Sequence, residues 1–163
     1  MHHHAESRFL PYTAEQMFDL VADIERYPEF LPWCMAARVR PRGENVLEAE
    51  LVIGHGPFRE TFVTHDVLDR PHSIEVSYLR GPFRHLHNSW LFAPADGGST
   101  ISFEVEFEFR SRLFERLIGR IFSEAVRRMV FAFEGRAREL YGRGAGRRGK
   151  SRARRASPKP RPV

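Results

Sequence analysis

One stretch, Ser111 to Tyr141, restricts the fold more than any other part of this chain. Phe114, Leu117, Ile118, Ile121, Ala125, Met129, Ala132, Phe133 and Leu140 recur at three- and four-residue intervals. Arg116, Arg120, Glu124, Arg127, Arg128, Arg138 and Glu139 fall mostly on the opposite side. This is the pattern of one amphipathic helix, a rod about 45 Å long at 1.5 Å per residue. Its broad apolar stripe needs an equally long apolar surface. The strand just before it supplies one. From Thr100 to Phe109, Ile101, Phe103, Val105, Phe107 and Phe109 share one face, and Ser102, Glu104, Glu106 and Glu108 share the other. A strand with one greasy and one acidic face belongs to an antiparallel sheet covered on one side.

The rest of the chain fits that frame. Ser7–Leu10 reads as a short strand stopped by Pro11. Thr13 and Gln16 form a capping box at the start of a helix whose apolar face is Met17, Phe18, Leu20, Val21 and Ile24. Tyr27-Pro28 interrupts that helix, and residues 29–33 predict a second short helical turn between prolines. Strands follow at Ala36–Arg40, Val46–Ile53, Phe58–Leu68, Ile74–Leu79, Leu86–Phe92 and Thr100–Phe109, separated by Gly-, Pro- and Asp-containing turns. These hairpin-length connections exclude parallel crossovers. The predicted class is α+β: a curved antiparallel sheet of about six to seven strands around a long C-terminal helix, with two short helices after the first strand.

Charge divides the chain. The whole sequence of 163 residues has 26 Lys and Arg against 21 Asp and Glu. Nine of the bases and none of the acids lie in residues 142–163, so the preceding part carries about four net negative charges. The body is therefore no general nucleic-acid binder by charge. The expected organisation is a disordered start at residues 1–5, one domain at 6–141, and a basic disordered tail at 142–163. His2, His3 and His4 are read as part of that loose start rather than as a metal site. A single cysteine, Cys34, suits a reducing compartment. With no run of 18 apolar residues and no import leader, the expected location is the cytoplasm, with peripheral contact at the inner face of a membrane.

Motifs for catalysis are sparse. The chain lacks a glycine-rich phosphate loop, paired Cys-x-x-Cys, His-Glu-x-x-His or a serine elbow. His85 and His87 alternate on one strand without a third ligand, so no metal is expected. The Glu104, Glu106, Glu108 row reads as a solvated face. The richer signal is apolar. Phe is used 14 times, and Phe62, Tyr78, Trp90, Phe103 and Phe107 are expected to face Ile121, Ala125 and Met129 of the long helix. Tyr27, Phe30, Trp33, Phe58 and Phe83 cluster at turns where a pocket would open, and Leu31 is counted with the pocket residues. From the residues alone, a close-packed core and an apolar cavity are both open readings.

Residues 9–34, FLPYTAEQMFDLVADIERYPEFLPWC, resemble the opening of the coenzyme Q-binding family, and residues 81–92, GPFRHLHNSWLF, resemble its second signature. The resemblance covers about residues 6–141. It implies a helix-grip fold of the START-like, polyketide-cyclase-related superfamily, and a non-enzymatic protein that binds ubiquinone and supports respiratory electron transfer. On that reading ubiquinone is the bound ligand, and the basic tail is a candidate for contact with anionic lipid. A toxin branch of the same family binds the large ribosomal subunit and blocks subunit association, and the tail would also suit rRNA. A third reading, a cyclase or hydrolase, needs an inward ionisable group, for which spacing offers His65, His87 or Tyr78.

Overall fold

The computed structural model describes residues 1–143. Seven strands form one antiparallel sheet in the order β1-β7-β6-β5-β4-β3-β2: β1 His2–Leu10, β2 Cys34–Pro41, β3 Val46–His55, β4 Phe58–Asp69, β5 Ser73–Arg80, β6 Phe83–Ala95 and β7 Gly98–Phe109. Helix α1, Ala14–Ala22, and a 3₁₀ segment, Ile24–Glu29, lie between β1 and β2, and helix α2 spans Arg112–Tyr141. The expected α+β helix-grip arrangement is what the chain adopts.

Local chemistry explains the joints. Thr13 Oγ1 accepts from the Gln16 N–H at 3.1 Å while Gln16 Oε1 accepts from the Thr13 N–H at 2.9 Å, the reciprocal capping box. Ser111 caps α2 through the Phe114 N–H. Glu115, in the first turn of α2, accepts from the Phe109 N–H at 2.7 Å and so ties the end of β7 to the helix.

Two apolar clusters carry α2 at its two ends. Met17, Phe18 and Val21 of α1 pack with Ile74, Trp90, Phe92, Ile101 and Phe103 of the sheet and with Phe133 and Ala137 from the C-terminal part of α2. At the other end Phe62, Phe83 and Phe109 form a smaller cluster that Phe114 and Ile118 join from the helix start. Removing such side chains from water contributes roughly 25 cal/mol per Å² of apolar surface. The helix thus rests on two supports, with its middle spanning the gap between them.

Three expectations need correction. The sequence predicts a disordered start at residues 1–5, but β1 begins at His2 and pairs with β7 from His2↔Phe107 to Leu10↔Ser99. Its inward side chains are polar, which hides it from a hydrophobic-periodicity test; α2 supplies acids to His2 and Arg8, while Glu6 lies against His4 and Arg8 within the strand. His2 Nε2 lies 3.0 Å from Glu115 Oε2 and Arg8 Nη1 bonds to Glu134 Oε1 at 2.5 Å. The second helical turn lies at Ile24–Glu29 rather than 29–33, with Pro28 inside it; the proline ring's fixed φ near −65° is a helical value, so Pro28 fits a short segment that it would interrupt if longer. Strand β6 starts at Phe83, not Leu86, because the register shift between Phe83 and His85 lets the ladder continue past the turn. The basic tail lies outside the described residues from position 144 onward.

Candidate functional site

The gap under the middle of α2 is a cavity of about 430 Å³, within the roughly 300–1,000 Å³ of small-molecule sites. Sheet side chains form its floor: Leu51 and Ile53 of β3, Phe62 of β4, Val76 of β5, Leu86 and Trp90 of β6, and Phe103, Val105 and Phe107 of β7. Alternation puts all of these on the concave face. The roof is Ile118, Ile121, Phe122, Ala125, Val126 and Met129 of α2. Small Ala125 and pliable Met129 at mid-span leave the space that larger residues would fill.

Eleven of the thirteen residues expected at a pocket line this cavity: Leu31, Trp33, Phe58, Phe62, Phe83, Trp90, Phe103, Phe107, Ile121, Ala125 and Met129. The other two do not. Phe30 turns away and packs edge-on against Tyr27 and Phe133, beneath the Arg136 guanidinium, beside a shallow outer groove. Tyr78 packs edge-on against Phe83, and its hydroxyl accepts from the Phe83 N–H at 3.2 Å. That bond anchors the turn between β5 and β6.

The mouth lies where the 31–34 loop, the β3–β4 hairpin and the first half of α2 meet. Phe58, Leu117 and Ile121 are all partly solvent-exposed there, at 47%, 41% and 36%. Trp33 sits at this rim with φ of +66°, a left-handed backbone that a bulky residue rarely adopts. Its carbonyl accepts from the Gly54 N–H at 2.9 Å, which fixes the loop against β3. Cys34, beside it on the cavity wall, has its thiol pKa raised by burial.

The polar residues of the wall are few, and most are committed to the protein. Trp90 Nε1 donates to Asn88 Oδ1 at 2.9 Å, and the Asn88 amide donates to the Glu104 carbonyl. The Tyr27 hydroxyl donates to the Val21 carbonyl, and burial drives its pKa far upward. Thr64 and Asp66, each 2% exposed, face inward from β4, and Thr64 Oγ1 donates to Asp66 Oδ1 at 2.7 Å. Burial pushes the Asp66 carboxyl up to about 6.

Asp66 was not among the inward ionisable candidates. The signal was present, because Phe62, Thr64 and Asp66 alternate on one strand face, but an acid in an apolar phase reads as an outward residue. The three candidates named instead lie elsewhere. His65 occupies the strand face opposite Thr64 and Asp66, His87 lies on the outer face 3.4 Å from Glu75, and Tyr78 is the anchor just described. His85 pairs with Glu106 and His3 with Glu104, each at 3.0 Å, so the acidic row of β7 serves the outer face.

A model of the family described as polyketide cyclase/dehydrase and lipid transport matches residues 10–134. The chain belongs to this family. Within the polyketide cyclase/dehydrase and lipid transport family, the chain is 40% identical over 141 residues to the ribosome association toxin RatA of Pseudomonas aeruginosa, covering 86% of this chain and 98% of that one. It is 37% identical over 145 residues to the mitochondrial coenzyme Q-binding protein COQ10 homolog B of Xenopus laevis, covering 86% of this chain and 59% of that one. The solution structure of an 18 kDa protein from Caulobacter crescentus superposes with a TM-score of 0.71 at 36% identity, covering 87% and 99% of the two chains. The relatives thus carry names of two kinds, a ligand binder and a toxin. Among the helices of the described residues none is long and apolar enough to cross a membrane.

Proposed function

We propose that this protein binds a polyisoprenoid quinone, with ubiquinone the best match, in the cavity beneath α2, and that it acts as a non-enzymatic carrier or chaperone serving respiratory electron transfer. The observation that carries this reading is the cavity itself: an almost wholly apolar chamber bridged by a helix that is supported at both ends. A prenyl chain needs apolar area more than specific contacts, and each Å² it buries contributes roughly 25 cal/mol. The similarity to a protein named as coenzyme Q-binding supports the choice of quinone. Peripheral contact with an anionic membrane belongs to the same proposal, because so apolar a ligand must be collected from a bilayer. The test is extraction of freshly purified protein with organic solvent. A quinone absorbance band that bleaches on borohydride reduction supports the reading, and a clear extract from native-source protein counts against it.

A second reading is association with the large ribosomal subunit, favoured by the 40% identity across nearly the full length of a protein named as a ribosome association toxin. Sucrose-gradient profiles on overexpression separate the two. Loss of 70S particles with accumulation of free subunits supports the toxin reading; unchanged profiles support the binder alone.

A further inference from the structure

The cavity has a polar end with an unusual property: it offers acceptors and hardly any donors. Thr64 spends its hydroxyl hydrogen on Asp66 Oδ1, leaving its own lone pairs. The Tyr27 hydroxyl and the Trp90 indole N–H are also spent inside the protein. Among the described residues Asp66 Oδ2 has no hydrogen-bond donor, and it is not one of the fully enclosed atoms lacking a hydrogen bond, which are His2 Nε2 and His4 Nε2; it opens into the cavity that Asp66 lines. A carboxylate oxygen that faces so apolar a chamber is stabilised by any group that enters and donates to it. Asp66 also lies eight residues along β4 from Phe58 at the mouth, about 26 Å at the strand rise, in the part of the cavity that Tyr27 also lines. A long ligand that enters tail-last would place its ring there and its chain toward Phe58 and Ile121.

We propose that Asp66, held by Thr64, is the polar anchor of the cavity and selects a ring bearing hydroxyl groups, so that the reduced quinol is bound in preference to the quinone. This rests on the quinone-binding reading. A quinol presents O–H donors to the acceptor-rich end, whereas a quinone presents carbonyl lone pairs to a carboxylate and gains nothing from it. With the Asp66 carboxyl at about 6, the group is ionised at pH 8, where the preference is fullest. The groups facing it are Thr64 from its own strand and Tyr27 from the 3₁₀ segment, both neutral at that pH, with His65 on the opposite strand face.

The experiment is anaerobic titration of the full chain with decylubiquinol and, separately, with decylubiquinone at pH 8. The wild type is expected to bind the quinol at least tenfold more tightly. Asp66→Asn, which keeps the shape and supplies a donor, should weaken quinol binding about tenfold, the scale of a lost charged hydrogen bond, and leave quinone binding equal or tighter. Asp66→Leu should retain quinone binding and lose the quinol preference; that retained binding certifies the fold. Equal wild-type affinity for both forms, or a quinol preference that survives in Asp66→Asn, overturns the anchor while leaving quinone binding intact. Failure of either form to bind wild type overturns the function it rests on.

Discussion

Thr64 Oγ1 stands 2.7 Å from Asp66 Oδ1 on the inward face of β4, and both side chains are 2% exposed. That hydrogen bond lowers the carboxyl pKa, but burial outweighs it, and the group rises from 3.8 to about 6. The folded state therefore holds the proton more tightly than the unfolded state between those values. Stability contributed in this way is greatest in acid and is lost as pH rises towards 6 and beyond, by about 3 kcal/mol for a shift of this size. Asp66→Asn removes the penalty. Thermal unfolding should show the variant more stable than wild type at pH 8, with the difference shrinking as pH falls through 6 and vanishing only below 3.8. A difference independent of pH would contradict the assignment.

Ala125 sits at the middle of the cavity roof. Ala125→Phe should fill much of the open space while leaving the clusters at both ends of α2 in place. The expected outcome is at least a tenfold loss of ligand binding with a melting temperature equal to or above that of wild type, since a filled void recovers lost contacts. Circular dichroism melting and ligand titration on one preparation check both halves.

Two glycines should respond in opposite ways. At Gly98 an added Cβ would fall 2.0 Å from the Leu10 carbonyl oxygen, and neighbouring Ser99 is bound to the Tyr12 carbonyl. Backbone would have to move where β1 leaves the sheet, so Gly98→Ala should cost about 3 kcal/mol. At Gly135, inside α2, a Cβ meets nothing within 4 Å. Gly135→Ala should add about 0.5–1 kcal/mol through helix propensity. Urea unfolding midpoints distinguish the two.

Much of the architecture was legible because two periodicities sit side by side. The alternation of β7 and the three-to-four spacing of α2 each bury one face, and together they demand a sheet wrapped around a helix. Most of the cavity wall followed from the same rule, since it selects Phe62, Trp90, Phe103 and Phe107 on the strands and Ile121, Ala125 and Met129 on the helix. What escaped was polar and inward. His2 and Arg8 of β1 look like a solvated start until the carboxylates of Glu115 and Glu134 arrive from a helix more than a hundred residues away. Asp66 escaped for the same reason, because its tolerance inside depends on a hydroxyl two residues back and on a cavity. Phe30 and Tyr78 were misplaced because a turn can aim a ring either way, and no periodicity governs that choice.

Trp33 and Trp90, the chain's two tryptophans, both line the cavity. Their fluorescence therefore reports occupancy without a label. Titration of the full chain with decylubiquinone should quench the emission saturably, at one ligand per chain, and Ala125→Phe should abolish the saturable phase. Quenching that stays linear with ligand, and is the same in wild type and Ala125→Phe, would contradict a quinone held beneath α2.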